Sequence, residues 1–201
     1  MSTIALHPTL ASRLSGGTAP LARNVLLAIV GSLALWASAK IQVPFYPVPI
    51  TMQTFVVLAM GMAFGRRLAA ATVALYLAQG AIGLPVFAGT PERGIGLAYM
   101  AGPTGGYLLG YLPAAALCGW LAERGWDRRI ATTAAAMLAG NAVVYAFGLL
   151  WLGSVIGWDK PVLQIGLTPF IPGDFLKLLL AALTLPLAWK LLGRSDPARQ
   201  G

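Results

Sequence analysis

Runs of apolar residues, separated by clusters of glycine, proline and charged residues, divide this chain into six segments. The segments cover approximately residues 21–40, 50–64, 68–84, 104–122, 130–153 and 174–192. A helix needs about 20 apolar residues to cross about 30 Å of hydrocarbon, and most of these segments are long enough. The pattern therefore predicts an all-α integral membrane fold, a bundle of six transmembrane helices.

The composition agrees with a chain that lies mostly in lipid. Apolar residues make up 58% of it and charged residues 10%, whereas about 25% of residues are charged in an ordinary soluble domain. No hydrophilic linker divides the 201 residues, so we expect a single membrane domain, 1–201. Residues 1–20 lack the apolar core of a signal peptide, and we expect them to be flexible or to lie on the bilayer surface.

The second apolar segment is too short to span alone, with about 15 residues before Gly65 and two arginines. We expect it to start below the membrane surface. Irregular backbone at that depth is tolerated only where protein or a watery cavity satisfies it. The shortness of this segment therefore predicts a cavity beside its first residues.

The basic residues predict the orientation of the chain. With both termini in the cytoplasm, ten of the 14 lie on the inner side and four on the outer side, as the positive-inside rule requires. The inner set is Arg13, Arg23, Arg66, Arg67, Arg124, Arg128, Arg129, Lys190, Arg194 and Arg199, and the outer set is Lys40, Arg93, Lys160 and Lys177. Because these charges are dispersed through short loops, the net charge of +8 indicates no nucleic-acid partner.

The loops rich in proline, glycine and aromatic residues all fall on the outer side in this topology. They comprise residues 42–53, 83–89, 102–107 and 172–174. Rigid turns, flat apolar side chains and closely approaching backbone indicate a binding pocket on that side.

Asp174 and Lys177 lie three positions apart at the start of the last apolar segment. A charge at the centre of a membrane helix costs about 2.5 to 3.5 kcal/mol, so such groups usually mark a functional site. An acid at a helix start is also favourable on structural grounds, but a base in the first turn opposes the helix dipole. We therefore favour ligand binding for this pair.

Gln53, Arg93 and the glycine-rich run before the fourth segment each allow a structural and a ligand-binding interpretation. Gln53 is able to cap a helix or contact a ligand, and Arg93, beside Glu92, belongs either to a solvated turn or to the pocket. Gly102, Gly106 and Gly110 have the GxxxG spacing of close helix packing, while Thr104 and Gly105 stand where backbone N–H groups at a helix start would suit a carboxylate. Both interpretations of the glycine-rich start are compatible.

Four motifs resemble those of one family, in the same order along the chain. They are QVPFYPVPIT (42–51) followed by Gln53, GLPVFAG (83–89), GPTGGYLLGY (102–111) and PFIPGDFLK (169–177). These closely resemble the BioY family, the biotin-specific substrate-capture (S) components of energy-coupling factor (ECF) vitamin transporters. Four separate motifs from Gln42 to Lys177 are far more specific than any one short pattern.

The resemblance implies a six-helix S-component fold and capture of biotin outside the cytoplasmic membrane. It also implies uptake powered by a transmembrane coupling protein and two ATPase subunits. The chain has no GxxxxGK[ST] motif, so ATP hydrolysis would have to come from such partners. A homo-oligomer remains one option for the assembly. No cofactor is expected, and biotin is the transported ligand.

The binding residues implied by the resemblance are the GDxxK pair and the loop arginine, with aromatic residues as pocket walls. Together with the polar candidates above, the expected substrate site comprises Asp174, Lys177, Arg93, Gln53, Tyr46, Phe87, Tyr99, Thr104, Gly105 and Tyr107.

Catalysis and metal binding have little support in the sequence. His7 is the only histidine and Cys118 the only cysteine, and the two are far apart in the chain. We therefore expect neither an enzyme nor a metal site. A capture subunit for another vitamin, and a channel or autonomous carrier, are the alternatives to a biotin-binding subunit.

Overall fold

The structure is a computed structural model that describes residues 7–14 and 20–194. Helices in these ranges are α1 (Leu10–Leu14), α2 (Pro20–Lys40), α3 (Gln53–Phe64), α4 (Arg66–Ala81), α5 (Gly96–Ala101), α6 (Gly105–Ala122), α7 (Ile130–Ile156), α8 (Val162–Gly166) and α9 (Ile171–Arg194). Two short 3-10 turns cover Trp126–Arg128 and Thr168–Phe170. The helical fold class is thereby confirmed.

One feature of the fold was not expected from the sequence. Two-residue strands, β1 (Gln42–Val43) and β2 (Ile50–Thr51), pair in antiparallel fashion and pin the two ends of the proline-rich connector between α2 and α3. Gln42 lies opposite Thr51 in this pairing. The connector of residues 41–52 is therefore a closed loop, with its tip held against the helices by buried Val48 and Pro49.

Four helical stretches in the described ranges are long and apolar enough to cross a membrane. They are Pro20–Lys40, Gly105–Ala122, Ile130–Ile156 and Val162–Leu191, whereas the apolar α3 has only 12 residues. The ends of the helices explain the short α3: Gly65, with φ of +80°, turns the chain directly into α4. A backbone with positive φ suits glycine because any other side chain would be strained there.

Helix α6 lies in the centre of the bundle and packs against α3, α4 and α7. Glycine makes this packing close. A Cβ at Gly106 would lie 2.2 Å from the Cβ of Trp151, and one at Gly110 would lie 3.1 Å from the Cα of Val144, both on α7. The expectation that the GxxxG spacing serves helix packing is confirmed at these two positions.

The two ends of the bundle differ in chemistry. At one end, the Arg66 N–H donates to Glu123 Oε1 at 3.0 Å, and Trp189 Nε1 donates to Asp127 Oδ2 at 2.5 Å. Leu10 and Ala11 are buried near this end, so the part of the amino-terminal segment that the structure describes is packed. At the other end lie the 41–52 connector, the loop of residues 82–95, and the first turns of α3, α6 and α9.

Candidate substrate-binding cavity

A narrow cavity opens among the first turns of α3, α6 and α9 and the second half of α7. Its lining combines polar and aromatic side chains with two connecting loops. The lining residues are Val48, Pro49, Thr51, Gln53, Thr54, Ala88, Thr104, Tyr107, Tyr111, Val144, Tyr145, Phe170 and Lys177. The cavity volume of ≈ 30 Å³ has room for about two water molecules. The prediction of a cavity beside the start of the short second segment is confirmed.

A buried ion pair lies beside this cavity: Lys177 lines the cavity, whereas Asp174 lines an adjacent groove between α7 and α9. Lys177 Nζ is 2.9 Å from Asp174 Oδ1, and both residues are only 7% exposed. Because α9 begins at Ile171, the two side chains lie on the same face of its first turns. A pair so deeply buried is costly unless further hydrogen bonds satisfy both charges.

Those further hydrogen bonds come from other helices. Lys177 Nζ also donates to Thr54 Oγ1 on α3 at 2.9 Å, and Tyr145 on α7 donates its hydroxyl to Asp174 Oδ2. Neither Thr54 nor Tyr145 was predicted from the sequence. Their partners lie 123 and 29 positions away, so no local pattern could have revealed them.

Gln53 belongs to a second polar group in the cavity. Its backbone N–H donates to Thr51 Oγ1 at 3.2 Å, so the Thr51 hydroxyl satisfies the first backbone N–H of α3. Its side-chain Nε2 donates to the Tyr76 hydroxyl at 2.7 Å, and Tyr76 in turn donates to the Val86 carbonyl at 2.9 Å. The buried amide is therefore linked to the 82–95 loop through one tyrosine.

Aromatic rings form one wall of the cavity. Tyr107 and Phe170 stack with centroids 6.3 Å apart, and Tyr145 meets the Tyr107 ring edge-on at 6.3 Å. The Tyr107 hydroxyl donates to the Gly166 carbonyl at 2.8 Å, which fixes the ring against α8. Thr104, at the start of α6, also lines the cavity, so two residues predicted from the glycine-rich motif, Thr104 and Tyr107, do lie there.

The 82–95 loop covers one side of the cavity through Ala88. Phe87 is fully buried and stacks on Tyr99, with the ring centroids 5.1 Å apart. Its ring also packs against Gly80, where an added Cβ would lie 1.9 Å from the Phe87 ring. The Tyr99 hydroxyl donates to the Ala88 carbonyl at 2.6 Å, and burial raises the pKa of Tyr99, so it stays a neutral donor. Phe87 and Tyr99 thus support the loop from beneath, while Ala88 faces the cavity.

Three other predicted site residues lie away from the cavity lining. Tyr46 is 83% exposed on the connector. Arg93 is exposed, and its Nη1 donates to the Phe45 carbonyl at 3.2 Å, which joins the 82–95 loop to the connector. Gly105 is buried in packing, since a Cβ there would lie 1.8 Å from the Met100 carbonyl oxygen.

A larger depression of ≈ 600 Å³ lies at the opposite end, between α1, α2 and α4. Its charged residues are Arg23, Arg66, Arg67 and Glu123, and the three arginines are partly or fully exposed. Size alone therefore does not identify the site. The smaller cavity is the stronger candidate because Lys177, half of a buried ion pair, lines it among convergent polar groups.

The fold and the cavity define a helical membrane protein with a polar, aromatic-walled cavity at one end. The chain matches the model of the BioY family over residues 8–194 and belongs to that family. It is 39% identical to the biotin transporter BioY of Rhizobium etli over 79% of this chain and 88% of that protein. It is 35% identical to the biotin transporter BioY of Thermotoga maritima over 80% and 92% of the two chains.

A solved structure agrees with these relatives. The chain resembles the crystal structure of the S-component for biotin from an ECF-type ABC transporter, with a TM-score of 0.69 and 25% identity. The likeness covers 85% of this chain and 92% of that one. The resemblance predicted from the four motifs is confirmed, and so is the expectation that the chain is a transporter component and not an enzyme.

Proposed function

We propose that this chain is the substrate-capture subunit of a biotin uptake system in the cytoplasmic membrane. The observation that carries the proposal is the buried Asp174–Lys177 pair beside an aromatic-walled cavity that Lys177 lines, in a chain of the BioY family. Capture of a small polar molecule explains why an acid and a base are retained together in an apolar helix.

The proposed topology has six crossings with both termini in the cytoplasm. It is supported by the alternation of the long helices, which brings the cavity loops to one end and most of the basic residues to the other. In this topology the depression lined by Arg23, Arg66 and Arg67 faces the cytoplasm, and the cavity faces outward.

The chemistry of biotin matches the polar groups of the cavity. Its ureido ring carries two N–H donors and one carbonyl acceptor, its second ring is apolar, and its tail ends in a carboxylate. Asp174 accepts from the ureido N–H groups, since an ionised carboxylate is an acceptor only. Lys177 is the donor for the ureido carbonyl, and Tyr107 forms the apolar wall beside the rings.

The remaining predicted residues differ in how directly they meet the ligand in this proposal. Gln53 and Thr104 line the cavity and contact the ligand. Arg93, at the outer mouth, receives the carboxylate of the tail, because its guanidinium has donors beyond the one that holds Phe45. Phe87 and Tyr99 support the covering loop, Gly105 supports the start of α6, and Tyr46 lies at the exposed rim.

Energy for transport comes from partners in this proposal. The chain itself lacks the phosphate-binding motif of an ATPase, so a coupling protein and two ATPase subunits of an ECF module are the proposed partners. The S-component fold of the solved neighbour supports this arrangement.

Binding is tested by titrating the detergent-purified protein with biotin in a calorimeter. Tight, saturable binding with one ligand per chain is expected, and riboflavin and thiamine serve as controls that should not bind. Absence of biotin binding, with binding of another vitamin, would reject the proposed substrate.

Vesicles containing the chain alone should bind biotin without accumulating it, whereas rapid flux without ATPase subunits would show an autonomous carrier.

Orientation is tested by labelling single cysteines in intact cells. Cys118 is the only cysteine, so a Cys118→Ala background leaves no other thiol. Cysteine at Glu92 should react with an impermeant maleimide from outside, and cysteine at Arg129 should react only after the cells are opened. The reverse pattern would refute the proposed topology.

A further inference from the structure

We propose that Tyr145 is a positioning residue that fixes the Asp174 carboxylate and thereby sets the affinity for a ligand carrying N–H donors. This inference rests on the proposed biotin-binding function and concerns the same site. It assigns a role to a residue on α7 that the sequence motifs did not include.

The two oxygens of Asp174 have different partners. Oδ1 accepts from Lys177 Nζ at 2.9 Å, and Oδ2 accepts from the Tyr145 hydroxyl. An ionised carboxylate has about two acceptor positions on each oxygen. One position therefore stays available on each oxygen, which suits a ligand that presents two adjacent N–H groups.

The Tyr145 ring is itself held in place. It meets Tyr107 edge-on at 6.3 Å and Phe170 at 6.4 Å with an angle of 66° between the rings. In this position of the ring, the hydroxyl donates to Asp174 Oδ2. The phenol is thus suited to orient the carboxylate and not merely to fill space.

Tyr145 also lies on a boundary. It lines the cavity on one side, and on the other it lines a groove between α7 and α9 together with Asp174, Asn141 and Phe175. Asp174 itself lines the groove and not the cavity, so the hydrogen bond from Tyr145 links its Oδ2 to a residue that borders both. Without the phenol hydroxyl, Oδ2 loses this link and the carboxylate is free to turn further into the groove. The ligand would then meet a carboxylate with fewer correctly directed acceptors.

The test compares variants that keep the ring but change the hydroxyl. Tyr145→Phe, and a variant with 4-methylphenylalanine at position 145, are expected to weaken biotin binding about 10- to 100-fold, since a charge-assisted hydrogen bond at the site is lost. A variant with 4-aminophenylalanine at position 145 restores an N–H donor and should recover most of the affinity. Trp189→Phe is the matched control, because Trp189 Nε1 also donates to a carboxylate, that of Asp127, but at the opposite end of the bundle.

A double-mutant cycle separates positioning from structural support. In an Asp174→Asn background, Tyr145→Phe should change biotin affinity less than threefold, because its effect passes through the carboxylate. An equal loss in both backgrounds, or wild-type affinity in both Tyr145 variants lacking a donor, would overturn the inference. Should wild-type protein fail to bind biotin, the proposed function fails and not the role of Tyr145. If Tyr145→Phe does not fold, the comparison of the methyl and amino variants decides the question.

Discussion

Lys40 and Phe87 join the end of α2 to the loop that covers the cavity, although 47 positions separate them. Lys40 Nζ donates to the Phe87 carbonyl at 3.1 Å, and also to the carbonyl and the hydroxyl of Thr90 at 3.2 and 3.1 Å. One ammonium group thus satisfies three acceptors of the 82–95 loop. The cavity is narrow, so under the proposed function we expect this loop, which contributes Ala88 to the lining, to move when biotin enters.

We expect Lys40→Met to speed biotin dissociation about three- to tenfold, because the loop loses three hydrogen bonds that hold it over the cavity. Stopped-flow displacement of a fluorescent biotin derivative measures this rate. Lys160→Met is the control, since Lys160 lies 3.1 Å from Asp159 in an exposed pair outside the cavity lining. Equal rates in wild type and Lys40→Met would show that the loop does not limit dissociation.

Asp174→Asn and Lys177→Met are each expected to weaken biotin binding at least 100-fold. Each removes a charge-assisted hydrogen bond to the ligand and leaves the other charge buried without its partner. Each single variant should also lower the unfolding temperature, because breaking a buried pair costs roughly 3 to 5 kcal/mol.

The double variant Asp174→Asn, Lys177→Met distinguishes binding from folding. It removes both charges, so it should recover most of the stability and none of the affinity. Calorimetric titration and thermal unfolding of the same samples give both quantities. Recovery of affinity in the double variant would contradict the proposed contacts.

Arg93→Ala should weaken the binding of biotin roughly three- to tenfold and that of biotin methyl ester hardly at all. The difference arises because the ester lacks the carboxylate that Arg93 is proposed to receive, and an exposed ion pair contributes only about 0.2 to 1 kcal/mol unless it is bidentate. An equal loss for both ligands would show instead that Arg93 acts through its bond to the Phe45 carbonyl.

Gly106→Ala is expected to lower stability by about 1 to 3 kcal/mol, because overpacking a close helix contact forces the helices apart. The new methyl group would lie 2.2 Å from Trp151 Cβ and 2.5 Å from the Phe147 carbonyl oxygen. Gly102→Ala is the matched control in the same GxxxG series, since its closest contact is 3.2 Å. Similar unfolding temperatures for the two variants would argue against tight packing of α6 on α7.

Asp127, which lies outside the membrane-spanning helices, is expected to make the stability of the protein depend on pH. Burial raises its pKa above the ordinary value of 3.8, although the hydrogen bond from Trp189 opposes this. An acid with a raised folded-state pKa binds its proton more readily when folded, so its contribution to stability is lost as pH rises from about 3.8 through the folded-state pKa. Asp127→Asn should therefore flatten this part of the stability profile and raise the unfolding temperature at pH 7. Parallel profiles for the two proteins would contradict the prediction.

Much of the fold could be predicted because apolar runs and their interruptions carry the helix boundaries directly. The expected segment 104–122 became α6 at Gly105–Ala122, and 50–64 became α3 at Gln53–Phe64. The pairing of residues 42–43 with 50–51 could not be predicted, since two-residue strands leave no periodicity in the sequence.

The site was predicted only where a charge or motif stood out from its surroundings. Asp174 and Lys177 were conspicuous in an apolar segment, and the structure pairs them. Tyr145 stands in the run Val-Val-Tyr-Ala-Phe, where an aromatic residue is ordinary, and Thr54 follows Gln53 without any distinguishing feature. Their roles depend on which helices become neighbours, and one sequence does not contain that information.

The short α3 has a consequence for how far a captured molecule must travel. Its 12 residues rise only about 18 Å, against about 30 Å of hydrocarbon, so in the proposed topology Gln53 lies about 12 Å inside the bilayer. Recognition thus completes part of the passage. Under the proposed function, a molecule held beside Gln53 has already crossed more than a third of the hydrocarbon before the proposed ATPase partners act.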